Sequence, residues 1–183
     1  HDAVVFAHRV HDEAAFAEPI AVICHAFNLA GSIEGASVAI LGAGVLGLLA
    51  IQIAAARGAS RVYATGRQDK KLELARQFGA ATGDARNEDV VEAGLGQGGP
   101  YDVIVDCVGT SQALDQALKL SARGGWILLV AGPHEPTLSF DYALHPRREV
   151  AIMSSLIYGE DFDDALPLLA NGQLELAPLL THR

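Results

Sequence analysis

Three glycines at a fixed spacing carry the strongest chemical signal in this chain. Residues 37–47 read SVAILGAGVLG, so an apolar strand pattern runs into Gly42-x-Gly44-x-x-Gly47 and then into the helix-forming run LLAIQIAAA. Between a strand and a helix each glycine has its own task. Gly42 makes the tight turn, Gly44 lets a pyrophosphate approach the backbone, and Gly47 lets the helix pack on the strand. The first N–H groups of that helix, at Val45 and Leu46, have no intrahelical partner and carry a partial positive charge suited to phosphates. The alternative is a strand–turn–helix corner with no ligand; the strand-and-helix context favours a dinucleotide.

A second position bears on which dinucleotide. Sites that select NAD place an acidic residue at the end of the second strand, where it accepts hydrogen bonds from the ribose and repels a 2′-phosphate. Here that stretch reads Ala64-Thr65-Gly66-Arg67. Gly66 leaves room, and Arg67 offers a planar fork of donors matched to phosphate. NADP is therefore expected in preference to NAD. The competing view makes Arg67 a plain surface arginine, because loss of the acid by itself only permits NADP.

Other groups carry weaker signals. Glu18-Pro19 precedes an apolar helical run, and an N-capping carboxylate ahead of a helix starting at Pro19 accounts for it. Cys24 and Cys107 lie far apart with no CxxC or other metal-ligand spacing. Both read as small core residues, and a reducing, cytoplasmic location is expected. The histidines (His1, His8, His11, His25, His134, His145 and His182) show no metal-ligand spacing either. His25 follows Glu18 by two helical turns on one face and could pair with it, although a satisfied buried histidine is the simpler expectation. Asp106, in VDCVG, reads as a structural acid. No catalytic residue is assigned with certainty.

The elements that would hold these groups alternate. Helices are expected over residues 19–30, 45–57, 70–78, 87–94, 112–120 and 162–170. Strands are expected over 38–41, 61–65, 101–107, 126–131 and 149–156, with a short one at 80–82. Residues 132–146 read as an irregular loop. Two βαβαβ halves in series predict an α/β fold: one domain, 1–183, with a doubly wound parallel sheet between helical layers. In such a sheet ligands sit beyond the carboxyl ends of the strands, which selects Val108, Gly109 and Thr110 after one strand and Val130, Ala131 and Gly132 after the next. Ordinary core packing is the competing reading of Val108 and Val130.

Bulk properties agree. The 183 residues suffice for one well-cored domain, half of them are hydrophobic, and the net charge is −9. Nucleic acid is not an expected partner, because the net charge is negative and there is no basic cluster, Lys70-Lys71 and Arg147-Arg148 being isolated pairs. No membrane span is expected from the short, glycine-broken apolar runs. The opening HDAVVFAHRVHDEAAF has charges where a signal peptide needs an apolar core.

Together these stretches resemble the cofactor-binding domain of zinc-type medium-chain alcohol and polyol dehydrogenases. The resemblance rests on AEPIAVICHAFNLAG, VAILGAGVLGLLAIQIAAARGASRVYATGR, KLELARQFGA, YDVIVDCVG, GGWILLVAGP and EDFDDALPLLANGQLELAPLLTHR, and it covers nearly the whole chain. It implies hydride transfer between an alcohol or polyol and a nicotinamide cofactor. It also implies a missing catalytic domain that supplies a cysteine and a histidine for zinc, so that this chain would be an excised or truncated part. Glu18 would then be an oxygen ligand of the zinc or a carboxylate behind the ligands, which stands beside the capping role as an equal alternative. Lys71 would reach the adenosine ribose or its phosphate, or else solvent. The residues at 108–110 and 130–132 would contact the cofactor, and Ser155 and Leu156 would lie near the nicotinamide carboxamide. Ile157 departs from the arginine that polyol dehydrogenases tend to carry.

Two other functions fit some of these features. A zinc-free quinone oxidoreductase shares the fold but usually has Gly-Gly-Val-Gly in the loop and lacks Glu-Pro. A stand-alone module that senses redox state would bind cofactor without catalysis. A short-chain dehydrogenase is disfavoured, since Tyr142 has no lysine four residues on. The strand at 149–156 is expected at the sheet edge, where a second copy would pair with it to give a dimer.

Overall fold

The computed structural model describes residues 13–132, 134 and 136–180. Six parallel strands form one sheet in the order β3-β2-β1-β4-β5-β6. They are β1 (Ser37–Leu41), β2 (Arg61–Gly66), β3 (Ala81–Asp84), β4 (Tyr101–Asp106), β5 (Ser121–Leu129) and β6 (Ala151–Ser154). The helices are α1 (Ala17–Ala30), α2 (Val45–Ala56), α3 (Asp69–Gln77), α4 (Val90–Gly96), α5 (Ser111–Leu120), α6 (Leu144–Arg148) and α7 (Phe162–Ala170). A short 3-10 turn, Glu13–Phe16, leads into α1. The expected doubly wound α/β fold is present. Its order reverses between β1 and β4, and that crevice is where such sheets bind ligands.

Side-chain alternation along β1 shows why the strands read as unbroken apolar runs. Val38 and Ile40 face a core built with α1, α2 and α7, while Ala39 and Leu41 face a second core built with α5. Both faces are covered, so period 2 no longer separates polar from apolar. Helix α2 is apolar nearly all round because it lies between the sheet and α1. Its one buried amide, Gln52, exchanges hydrogen bonds with the backbone of Glu175 (2.6 and 3.3 Å) and ties the C-terminal segment down. Across the second core Tyr63 stacks on Tyr101 at 5.8 Å, and their hydroxyls donate to the carbonyls of Val90 and Gly94 at 2.8 Å.

Several boundaries differ from expectation for local reasons. Helix α1 begins at Ala17, continuing the 3-10 turn, so Glu18 is its second residue rather than its cap. Strand β5 begins at Ser121 and stops at Leu129, leaving Val130 and Ala131 outside it. Its start was hidden by Arg123-Gly124-Gly125, which reads as a turn; the pairing there slips by a bulge between Tyr101 and Val103. Strand β6 is only four residues long, and Glu149 ahead of it takes a left-handed conformation after the unforeseen α6. Helix α4 starts at Val90, three residues late, because Asp89 caps it through the N–H groups of Val91 and Glu92.

Candidate functional site

The turn after β1 is built as the glycine spacing requires. Gly42 has φ +99, and its N–H is held by the Thr65 carbonyl (3.1 Å) and hydroxyl (3.2 Å). A Cβ on Gly47 would stand 1.9 Å from the Gly42 carbonyl oxygen, so only glycine lets α2 start this close to the turn. Gly44 is different: a Cβ there would meet nothing within 4 Å. The space above it is free of protein and available to a ligand. Gly44 is also the N-cap of α2 and offers no side-chain acceptor to its first turn. Helix α5 across the crevice, by contrast, is capped by the Thr110 hydroxyl through the Ala113 N–H (3.2 Å). The first N–H groups of α2 remain for an anion.

A cleft of about 380 Å³ opens over this turn, within the range of small-ligand sites. It brings together the expected residues Gly42, Gly44, Gly66, Arg67, Lys71 and Val108. Although the chain carries a net charge of −9, the lining residues include Arg67 and Lys71 and no Asp or Glu. Neither cation has an ion-pair partner among the described residues. Gly66 is confined in its own way, since a Cβ would stand 3.0 Å from Leu72 and 3.1 Å from Ala43. Lining residues that sequence reasoning did not single out include Gln68, Ala85, Gln112, Gln116 and His134. Only Gln112 and Gln116 left a signal, as two amides one helical turn apart at the start of α5.

The other expected positions lie beside the cleft. Val45 and Leu46 open α2 and Gly47 is buried beneath it. Gly109 (φ +72) sits where a Cβ would be 2.6 Å from the Gly132 carbonyl, so the segments after β4 and β5 touch there. Val130 and Ala131 donate their N–H groups to the Asp106 carbonyl (3.0 Å each). Ser155 follows β6, donates its N–H to Leu129 (2.9 Å), and has a buried hydroxyl without a partner.

Asp106 organises the turn that follows β4. Its Oδ1 accepts from the N–H groups of Val108 (2.8 Å) and Gly109 (3.1 Å), while its Oδ2 is buried with no partner among the described residues. Burial raises the carboxyl above its usual range against the lowering effect of those two bonds. The folded state therefore holds the proton more tightly than the unfolded chain does. Stability associated with this group is present at low pH and declines as pH rises from the unfolded value through the folded one. Asp106→Asn keeps the Oδ1 acceptor and cannot ionise. The stability advantage of the native chain over this variant is expected to shrink between pH 3 and pH 7. Thermal melts that show a constant difference over that interval would refute this account. Asp106→Ala orphans both N–H groups and is expected to cost about 2 kcal/mol.

Three further groups are placed by the structure. Burial and the Asp106 carboxylate push the Cys107 thiol up to about 12, so it stays protonated, and Cys24 is wholly buried. His25 pairs through Nδ1 with Asp161 Oδ2 at 2.9 Å, not with Glu18. Asn28 and Arg57 extend that link to Asp164, so α1, α2 and α7 are clasped together. Glu18 is exposed in the first turn of α1, where its charge suits the helix dipole but caps nothing. Among the described residues no three of His, Cys, Asp or Glu form a metal-binding group. The described residues do not fit a zinc centre. His1, His8, His11 and His182 lie outside the described residues. No described helix is long and apolar enough to cross a membrane.

Comparison with known proteins agrees with this geometry. The zinc-binding dehydrogenase family matches over residues 45–171. D-xylulose reductase of Saccharomyces cerevisiae is 32% identical over 94% of the chain and 50% of its own length. Galactitol 1-phosphate 5-dehydrogenase of Escherichia coli K12 is also 32% identical, over 94% of the chain and 53% of its length. Among solved structures, a Sinorhizobium meliloti 1021 protein bound to NADP superposes with a TM-score of 0.82 and 36% identity, covering 89% of this chain and 49% of that one. The chain spans about half the length of the curated relatives it matches.

Proposed function

Because the chain belongs to the zinc-binding dehydrogenase family, we propose that it is the NADP-preferring, dinucleotide-binding part of an alcohol or polyol dehydrogenase. One observation carries the cofactor assignment: an acidic chain presents, over a glycine turn open at Gly44, a cleft lined by Arg67 and Lys71 and by no carboxylate. The pyrophosphate would lie on the first turn of α2. Arg67 would face the 2′-phosphate, with no carboxylate at Gly66 to repel it and Lys71 adding charge. The NADP carried by the Sinorhizobium meliloti relative supports the same choice. The chain's own residues bind and orient the dinucleotide, and hydride transfer to or from a small alcohol or polyol requires the rest of the protein. Relatives named as sugar-alcohol enzymes favour this over a zinc-free quinone oxidoreductase or a redox-sensing module.

The described residues do not by themselves assemble a site for zinc. In this proposal the family's zinc is held by the other half of the protein, with exposed Glu18 as the one ligand or neighbouring carboxylate contributed from this half. Two free cysteines support a reducing, cytoplasmic setting.

The direct test is cofactor titration by nicotinamide fluorescence. Arg67→Ala is expected to weaken NADPH about tenfold through lost charge-assisted bonds, and NADH less than twofold. Equal losses would sink the NADP assignment.

A homodimer is also proposed. Strand β6 ends the sheet order and leaves one edge unpaired among the described strands, with Met153 and Leu156 exposed beside it. An apolar edge of this kind is satisfied by a second copy across a two-fold axis. Light scattering at micromolar concentration is expected to give twice the chain mass, and a monomeric mass would refute it.

A further inference from the structure

The cleft lacks carboxylates along its walls, yet two stand immediately behind its ribose end. Asp84 ends β3 and pairs in register with Gly66, one strand spacing of about 4.8 Å away. The next residue, Ala85, donates its N–H to the Gly66 carbonyl (2.9 Å) and lines the cleft. Asp69 opens α3 two residues after Arg67. Left unpaired, both would oppose a 2′-phosphate much as the acid of an NAD site does.

Arg86 sits on both of them. Its Nη2 donates to Asp69 Oδ1 and to Asp84 Oδ2 (2.7 Å), and its Nε donates to Asp84 Oδ1 (2.9 Å). The fork thus joins the start of α3 to the end of β3 across the strand that carries Gly66. Among the described residues Asp69 has no other partner, and its side chain is 81% exposed. Hydrogen bonds from Arg86, first among the causes, hold the Asp84 carboxyl well below its usual range, so it stays ionised.

We infer that Arg86 is a positioning and specificity residue for NADP, acting by holding Asp69 and Asp84 together and offsetting one of their two charges so that the site tolerates a 2′-phosphate. The inference rests on the NADP reading above. It adds a cation that touches no cofactor atom and works only through two carboxylates.

Affinities of the 183-residue chain for NADPH and NADH, at low and high salt, test it. Arg86→Gln is expected to weaken NADPH about fivefold, the size of an uncompensated charge near the site, and to leave NADH unchanged. The difference is expected to shrink at high salt. Adding Asp69→Asn to that variant is expected to restore NADPH binding, and Arg86→Lys, which keeps the charge without the fork, is expected to keep most of the preference. A purely structural role for Arg86 predicts instead an equal loss for both cofactors and no recovery with Asp69→Asn; either result overturns the inference. A native chain that binds NADH as tightly as NADPH overturns the NADP reading itself, and that outcome is visible before any variant is made.

Discussion

Gly47→Ala is expected to lower the melting temperature by about 10 °C, equivalent to about 3 kcal/mol for a chain of this size. The added Cβ falls 1.9 Å from the Gly42 carbonyl oxygen and 3.0 Å from its carbon. These are backbone atoms, and they have nowhere to go. Gly42 is held on one side by Thr65 and on the other by Val108, whose Cγ2 would stand only 2.8 Å from a Cβ on Gly42. Relief requires α2 to lift off β1, and the Leu48–Ala54 stretch of α2 is buried on both the sheet side and the α1 side. Thermal unfolding followed by circular dichroism reads the effect. A melt within a degree or two of the native chain would show that the turn is far softer than its contacts indicate.

Gly44→Ala is expected to do the reverse: a melt lowered by only about 3 °C and about a hundredfold loss of dinucleotide affinity. At Gly44 φ is −75, which any residue adopts, and the new methyl meets no protein atom within 4 Å. Alanine is a poorer N-cap than glycine, which costs about 1 kcal/mol. The methyl does occupy the space over the first turn of α2 where, in the proposed site, the pyrophosphate comes into contact with N–H groups. Forcing the phosphate back loses several charge-assisted bonds at once, so the upper end of the overpacking range, about 3 kcal/mol, is expected. Titration of the stable variant with NADPH measures it directly. Undiminished binding would remove the pyrophosphate from this turn. The two glycines, three residues apart, thus separate the demands of the fold from those of the ligand.

That separation was only partly legible in the residues. The spacing Gly42-x-Gly44-x-x-Gly47 announces both roles, but a sequence does not say which glycine faces protein and which faces open space. The same limit applies to charge. Gly66-Arg67 is visible as a missing acid followed by a guanidinium. Asp69, Asp84 and Arg86 look like ordinary surface residues until β3 is laid beside β2. His25 reads from sequence as a satisfied histidine with no way to name its partner, and that partner, Asp161, lies 136 residues away. Strand β5 starts earlier than its apolar run suggests, because Ser121 pairs with Tyr101 and the ladder then skips Arg123-Gly124-Gly125 to resume at Trp126 opposite Val103. Glycine and charge mark an irregularity there, and only the neighbouring strand shows that the strand continues on both sides of it.

By itself the sequence determined the alternation of strands and helices, the place of the glycine turn between β1 and α2 and the absence of an acid at Gly66. These are local properties, written in apolar periodicity and in residues that glycine alone can replace. Tertiary structure decided the strand order, the grouping of Arg67 and Lys71 into an anion-suited cleft, the pairing of the nearby carboxylates by Arg86, and the isolation of Glu18 from any metal-binding set. Each depends on distances between segments far apart in the chain, and those distances are set by how the two faces of the sheet are buried, not by any residue's neighbours in sequence.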